Sequence, residues 1–468
     1  MQNRPLSLFA FDVAAPAHLT AGSWRNEGDQ GHRYTDLNYW TETARLLESA
    51  GFDGIFFADT VGYHDVYEGK PDAALRDAAQ FPVNDPMMMI SAMAAATKHL
   101  TFGVTCSLTY EQPYLLARRF STLDHLTRGR IGWNIVTSYS ESAARNLGHG
   151  KQLDHDERYE VAEEYMDVVY KLWESSWEAD AVVRDTENGT YIEPSKVHPI
   201  EHSGQYFSVQ GFPLCEPSPQ RTPVLFQAGA SSRGMAFAGK HAEAVFINTV
   251  SVEQARRSVE KIRQATAEAG RDPQDVKVIV LLTVIVAPTD EEARKKHEKY
   301  LQNVTVEGAL ARFGGWTGVD LSSYDPDTPL KSIQTKGVQS VVDMFSKTDP
   351  DRDWTPRDIA RFLGIGGTGS TIVGSPATVA SELKRWRDEA GVDGINLSYT
   401  TKPGGWEQFI ELALPELRRQ GLVAELSDPE LPLTLREKFY GPGSTYTAPG
   451  HPATDRREAR TAVSAGTA

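Results

Sequence analysis

Residues 101–138 read TFGVTCSLTYEQPYLLARRFSTLDHLTRGRIGWNIVTS. Two short, β-branched-rich runs, 101–108 and 130–136, bracket a helix-like run over 113–126. The outer runs are largely apolar, as strands buried on both faces are. The middle run places Leu115, Leu116, Phe120, Leu123 and Leu126 at helical spacing, with Arg118, Arg119 and Asp124 among its polar positions. The pattern predicts a βαβ unit, hence neighbouring parallel strands joined by a right-handed crossover. Thr105 and Ser107 stand near the end of the first run, and Asn134, Thr137 and Ser138 near the end of the second. Ligands of parallel α/β folds sit at the carboxyl ends of strands, so these polar residues together mark a site.

Outward from this unit, the same rhythm recurs. Strand-like runs begin near Leu6, Gly54, Thr101, Arg130, Pro223, Ala244, Val276 and Asp393. Eight such runs, most followed by a helix-like segment, predict a TIM (β/α)₈ barrel. A barrel needs about 250 residues, and the chain has 468. The remainder falls to two insertions, about 139–220 and 304–370, and to an extension. Residues 1–435 are therefore expected to form the barrel and 436–468 a flexible C-terminal tail or arm.

Charge and composition narrow the function. A formal charge of −15 argues against nucleic acid or an anionic membrane as partner. Two cysteines without CxxC spacing give neither a disulfide framework nor a cysteine-rich metal site. The twelve histidines show no HExxH or zinc-finger spacing, and no metal is expected. The first residues carry no signal peptide pattern, which makes the cytoplasm the default location.

Two glycine-containing runs invite a nucleotide reading. Gly364 to Gly369, GIGGTG, matches G-x-G-x-x-G but follows a helix-like run instead of a strand, so it reads as a hinge or lid. QAGASSRG (227–234) joins a buried strand to a helix start. Backbone N–H groups there, with the Ser231 and Ser232 hydroxyls, can cradle a phosphate; a plain βα turn is the alternative.

FADTVGYHDVY (57–67), QFPVNDP (80–86), RRFSTLDHLTRGRIGWNIVTS (118–138), LDHDERYE (153–160), EPSPQRTPVLFQAGAS (216–231) and AGVDGINL (390–397) resemble the bacterial-luciferase-like flavin monooxygenases. The similarity is to the branch with the nitrilotriacetate, dibenzothiophene-sulfone, dimethyl-sulfide and long-chain alkane enzymes. The resemblance implies an insertion-bearing TIM barrel, reduced FMN delivered by a separate NAD(P)H:flavin reductase, O₂ as co-substrate, and a homodimer or homotetramer. It places Asp59, Thr105, Asn134, Val136 and Ser138 along the flavin ring, and Tyr159, Ala230 and Ser231 at its phosphate. It places His18, His64, Gln80 and Tyr139 in the catalytic chamber. There the chain departs from its relatives. Ala15 stands where alkane and dimethyl-sulfide enzymes carry cysteine, His64 replaces a tyrosine of the alkane enzyme, and Tyr139 replaces a histidine. The implied substrate is a small organic molecule: organosulfur, heteroaromatic or flavin-like, or an alkane. A deazaflavin-dependent dehydrogenase or a non-catalytic flavin-binding protein on the same barrel is the alternative.

Overall fold

The computed structural model describes residues 4–229, 231–333, 342, 345, 352–426 and 431–466, with side chains to 459. Eight parallel strands close on themselves: β1 (Ser7–Val13), β2 (Gly54–Ala58), β3 (Thr101–Ser107), β4 (Ile131–Val136), β5 (Val224–Gln227), β6 (Ala244–Ile247), β7 (Lys277–Val286) and β8 (Gly394–Ser398). Each pairs with the next, and β8 pairs with β1 through Ser7↔Gly394 to Ala10↔Leu397. The TIM barrel read from the strand–helix rhythm is the fold. Its helices are α1 (Leu37–Ser49), α2 (Met87–Ala95), α3 (Pro113–Thr127), α4 (His155–Tyr170), α5 (Ser232–His241), α6 (Val252–Glu268) and α7 (Pro376–Asp388), then a helical run over 404–419.

The lower interior of the barrel is filled by phenylalanine. Phe56 and Phe246 stand 4.1 Å apart between ring centroids, and Phe226 stacks on Phe246 at 5.3 Å. Phe9 meets Phe226 from one side and Phe439 from below. Room for these rings comes from glycine on the neighbouring strands. A Cβ at Gly103 would lie 2.6 Å from the Phe56 ring, and one at Gly132 would lie 2.5 Å from the Phe226 ring. Above this floor Phe11 packs on Phe56 and carries His18 on its other side, 4.7 Å away.

Three elements differ from the sequence expectations or add to them. The stretch 139–220 contains α4, the barrel's own fourth helix, whose Tyr165, Met166 and Val169 are buried in the main core. After α4 come two small hairpins, Val182–Asp185 with Thr190–Ile192 and His202–Ser203 with Ser208–Val209. After β7 comes helix Asp290–Gln302, and the described residues of the second insertion form helices Val306–Thr317 and Pro356–Leu363. They then form an unexpected strand, Ser370–Gly374, paired with Leu282–Val286 of β7. Leu282 and Thr283 also pair with β8, so this strand lies on the β6 side, where β6 has already ended. The Gly364–Gly369 run leads into that strand as a compact turn, with Gly366 at φ 77° and Gly367 at φ 62°.

The expectation of a flexible tail from 436 is corrected. A helix over Leu435–Tyr440, closed by a Thr434–Glu437 capping box, plugs the amino-terminal end of the barrel. Leu435 and Phe439 enter the phenylalanine cluster. Arg436 is fully buried, with Nε 2.6 Å from Glu243 Oε1 and its Nη groups donating to the carbonyls of Thr222 and Thr445. Farther on, His451 and Ala453 are buried as well. A Pro- and Gly-rich composition concealed these anchors, because a few buried side chains suffice to dock a segment.

Candidate active site

Strand register identifies which polar side chains face inward. Registered residues of a parallel pair point to the same face. Phe226 is interior and pairs with Asn134, which pairs with Thr105. Phe9 is interior and pairs with Asn396; two residues on, Ser398 pairs with Thr283 of β7. Thr105, Asn134, Thr283, Asn396 and Ser398 thus form a polar layer above the phenylalanine floor.

Few of these groups satisfy one another. Thr105 Oγ1 donates to the Phe57 carbonyl at 2.8 Å and accepts from Asn134 Nδ2 at 2.9 Å. Asn134 Oδ1, Thr283 Oγ1, Asn396 Oδ1 and Ser398 Oγ are buried without a partner among the described residues. Folded proteins pair nearly all such atoms, so four orphans in one layer indicate a surface built for a polar ligand. On the rim, Ser107 and Ser138 hydroxyls bond at 2.7 Å, and Ser138 holds a left-handed φ of 53°. Val136, paired with Ser107, ends β4 on the same inward face. Asp59, just past β2, accepts the Thr60 N–H at 2.8 Å. Burial pushes its carboxyl up to about 7, with the charge of Asp85 adding to the rise.

Beyond β5 lies the second cluster. Ser231 is the N-cap of α5, its hydroxyl accepting from Gly234 N at 3.0 Å. A Cβ at Gly229 or Gly234 would sit 3.0 or 2.7 Å from the Tyr159 hydroxyl, so both glycines make room for that group. His155 Nε2 lies 3.2 Å from Ser231 Oγ, and Arg158 Nε is buried without a partner. His155, Arg158 and Tyr159 share the start of α4. The QAGASSRG run thus forms a βα turn into a capped helix start, with two residues able to carry positive charge, His155 and Arg158, beside it. Ala230 lies outside the described residues.

The third cluster is a roof supplied by the loops after β1 and β2 and by helix Val306–Thr317. His64 Nε2 is 3.1 Å from Gln80 Oε1, and Trp316 Nε1–H donates to the same oxygen at 3.3 Å. Two donors on one atom fix both the amide orientation and the His64 tautomer with its proton on Nε2. Gln80 is held at φ 69°. His64 packs on Gly315, where a Cβ would fall 1.9 Å from Nδ1. His18 is buried, and its Nδ1 has no partner. Burial, aided by the charges of Arg312 and Lys402, holds the His18 imidazole well below its usual range; burial draws His64 down to about 4. Both rings are neutral at pH 7. Tyr139 stands apart: its side chain is 52 % exposed, and among the described residues no hydrogen bond joins it to His18, His64 or Gln80. Trp316, Gly315 and Arg312 went unnoticed in the sequence because they fall in a segment without strand–helix rhythm.

Fold and site together define a (β/α)₈ enzyme whose strand ends form a roofed, polar chamber with a capped helix start on its rim. The chain belongs to the luciferase-like monooxygenase family, whose profile matches residues 11–394. It is 51% identical over 452 residues to the dimethyl-sulfide monooxygenase of Hyphomicrobium sulfonivorans, covering 97% of this chain and 94% of the relative. The crystal structure of a long-chain alkane monooxygenase superposes with a TM-score of 0.89 at 47% identity, covering 98% of this chain and 100% of the other. That of a riboflavin lyase with modified FMN and substrate riboflavin gives 0.87 at 37% identity, covering 97% and 100%. The resemblance seen in the motifs holds, and the protein is a flavin-dependent oxidoreductase of the monooxygenase type.

Proposed function

We propose that the protein is the oxygenase component of a two-component system, using reduced FMN from a separate NAD(P)H:flavin reductase and O₂ to oxidise a small organic molecule. The observation that carries this reading is the layer of four orphaned polar atoms beside the Ser231–Tyr159 cradle. Their chemistry fits FMN: a polar face for a heteroaromatic ring with many acceptors and donors, and a helix N-terminus for a phosphate. Bound in reduced form, the flavin supplies the electrons that activate oxygen.

The chain's own residues bind, orient and exclude water. Thr105, Asn134, Val136, Ser138 and Asp59 would line the ring, and Tyr159 and Ser231 would hold the phosphate. Above them the neutral rings of His18 and His64 face the reacting centre with Gln80. Among the described residues the His18 ring has no side-chain hydrogen-bond partner, so it can exchange a proton with a ligand. The Gln80 oxygen is occupied by two donors, which leaves its NH₂ group for a ligand. Tyr139 at the rim contacts the substrate on entry. Among the described residues no helix is long and apolar enough to cross a membrane.

The test is to mix the protein with chemically reduced FMN and ¹⁸O₂ and to screen organic sulfides, sulfones, alkanes and riboflavin for products by mass. A product carrying one ¹⁸O atom supports the reading. Oxidation of the flavin to give hydrogen peroxide alone, whatever the substrate, overturns it.

A further inference from the structure

The loop that carries His18 is gripped by two buried cations. Lys402 Nζ donates to the carbonyls of Val13 at 3.0 Å and Ala15 at 2.8 Å, and its charge is matched by Asp12 at 2.6 Å. Arg312, from helix Val306–Thr317, donates from Nη1 to the His18 carbonyl at 2.7 Å and from Nη2 to the Leu363 carbonyl. Its guanidinium lies 5.0 Å from the centroid of the Trp316 ring, the ring that orients Gln80. Unlike Lys402, Arg312 has no carboxylate in contact among the described residues. Asp77 influences it only through space, being bonded to Thr305. Arg312 is fully buried and its Nε meets no acceptor. Burial lowers its pKa only to about 10, so it stays charged at neutral pH.

A buried, incompletely matched charge costs several kcal/mol, and simple roof packing does not require one. What Arg312 adds is a joint between segments that share no strand: the β1 loop at His18, helix Val306–Thr317 and the end of helix Pro356–Leu363. We propose that Arg312 is a positioning residue, clamping the roof onto the His18 loop. Burial is the main reason the His18 imidazole is neutral, and the groups that face it add to the effect. They are the Phe11 ring below, Arg312 above, and Lys402 beside it with Asp12 as its partner. No free carboxylate among them favours a protonated imidazole. Only the activity arm of the test rests on the monooxygenase reading.

Arg312→Met and Arg312→Lys test the clamp, with flavin-free protein as the first readout. In ¹⁵N-histidine-labelled wild type, the His18 ring, assigned through His18→Asn, should stay neutral from pH 8 to 5.5. In Arg312→Met burial should keep it neutral, but its ring signals should shift or broaden as the loop loosens, and amides of 306–317 should exchange at least about tenfold faster. Arg312→Lys keeps the charge but not the fork, so exchange should still quicken. Product per reduced FMN oxidised should fall at least about fivefold in Arg312→Met, with hydrogen peroxide making up the difference and Arg312→Lys intermediate. A folded Arg312→Met with wild-type exchange and unchanged His18 signals overturns the proposal. Should that variant fail to fold, wild-type exchange in Arg312→Lys overturns it instead. A wild type that oxygenates nothing sinks the monooxygenase reading alone, since the clamp is decided by the flavin-free spectra.

Discussion

Replacing Asp59 by Asn should change how stability depends on pH, in a direction the structure fixes. The Asp59 carboxyl is half-buried at the barrel mouth, accepts one N–H from Thr60 and feels Asp85. These surroundings raise it from 3.8 to about 7. The folded chain therefore holds this proton more tightly than the unfolded chain. Between pH 4 and 7 the folded state binds more protons, so the Asp59 contribution is fully present below pH 4 and is lost as pH rises through 7. The rise corresponds to at most about 4 kcal/mol, and solvent at the mouth reduces it to roughly 2 kcal/mol. Asn mimics the protonated carboxyl and does not titrate. Urea unfolding of both proteins at pH 3.5 and pH 8 isolates the effect, since all other titrating groups are shared. Asp59→Asn should match wild type near pH 3.5 and exceed it by about 2 kcal/mol at pH 8, with much of the gap already open at pH 5. A stability difference that is the same at both pH values refutes the reasoning.

Two further predictions concern the other clusters. Ser231→Asp places a carboxylate where the cradle would hold a dianion; FMN affinity should fall at least ~10-fold while riboflavin affinity changes less than about threefold, and equal losses would point to misfolding. His64→Asn removes the imidazole that bonds Gln80 but keeps a polar side chain, so turnover should drop ~10²-fold with FMN binding little changed. Because burial draws His64 down to about 4, the wild-type rate should show no His64 ionisation between pH 6 and 8, and one seen there and lost in His64→Asn would contradict the assignment.

The barrel was legible because each strand is a short apolar run bounded by turns, and closure follows once eight such runs recur. The polar layer was legible in part. Thr105 and Asn134 stood out at strand ends, whereas Asn396 and Ser398 sit within GVDGINLSY, which reads as ordinary buried strand. Only register with Phe9 turns them inward. Periodicity also overreached: Leu115 and Leu126 were grouped with the buried stripe of α3, yet both are exposed. The strand Ser370–Gly374 was hidden behind a glycine run, since five residues beside four glycines carry too little pattern to outweigh a loop. Most opaque was the roof. Helix Val306–Thr317 meets His18 and His64 only through long-range contacts, and nothing local in VEGALARFGGWT says that Arg312 is to be buried.

The histidines show how a structure can redirect a chemical argument without displacing the residues. From sequence, imidazoles near a reacting flavin are attractive because histidine titrates close to neutral pH. In the folded chain His18 and His64 are both buried and both held neutral, one against Phe11 between two fixed cations, the other bonded to Gln80. Rings in that state serve first as oriented, buried hydrogen-bonding groups, where each bond is worth more than in solvent. A proton taken up at His18 Nδ1 would meet the charges of Arg312 and Lys402, so it would be released again readily. That suits a group that must hand a proton back within one turnover better than one that stores it. It also ties the chemistry of the chamber to the clamp, because the guanidinium that holds the roof on the His18 loop adds its charge to the burial that keeps the ring neutral.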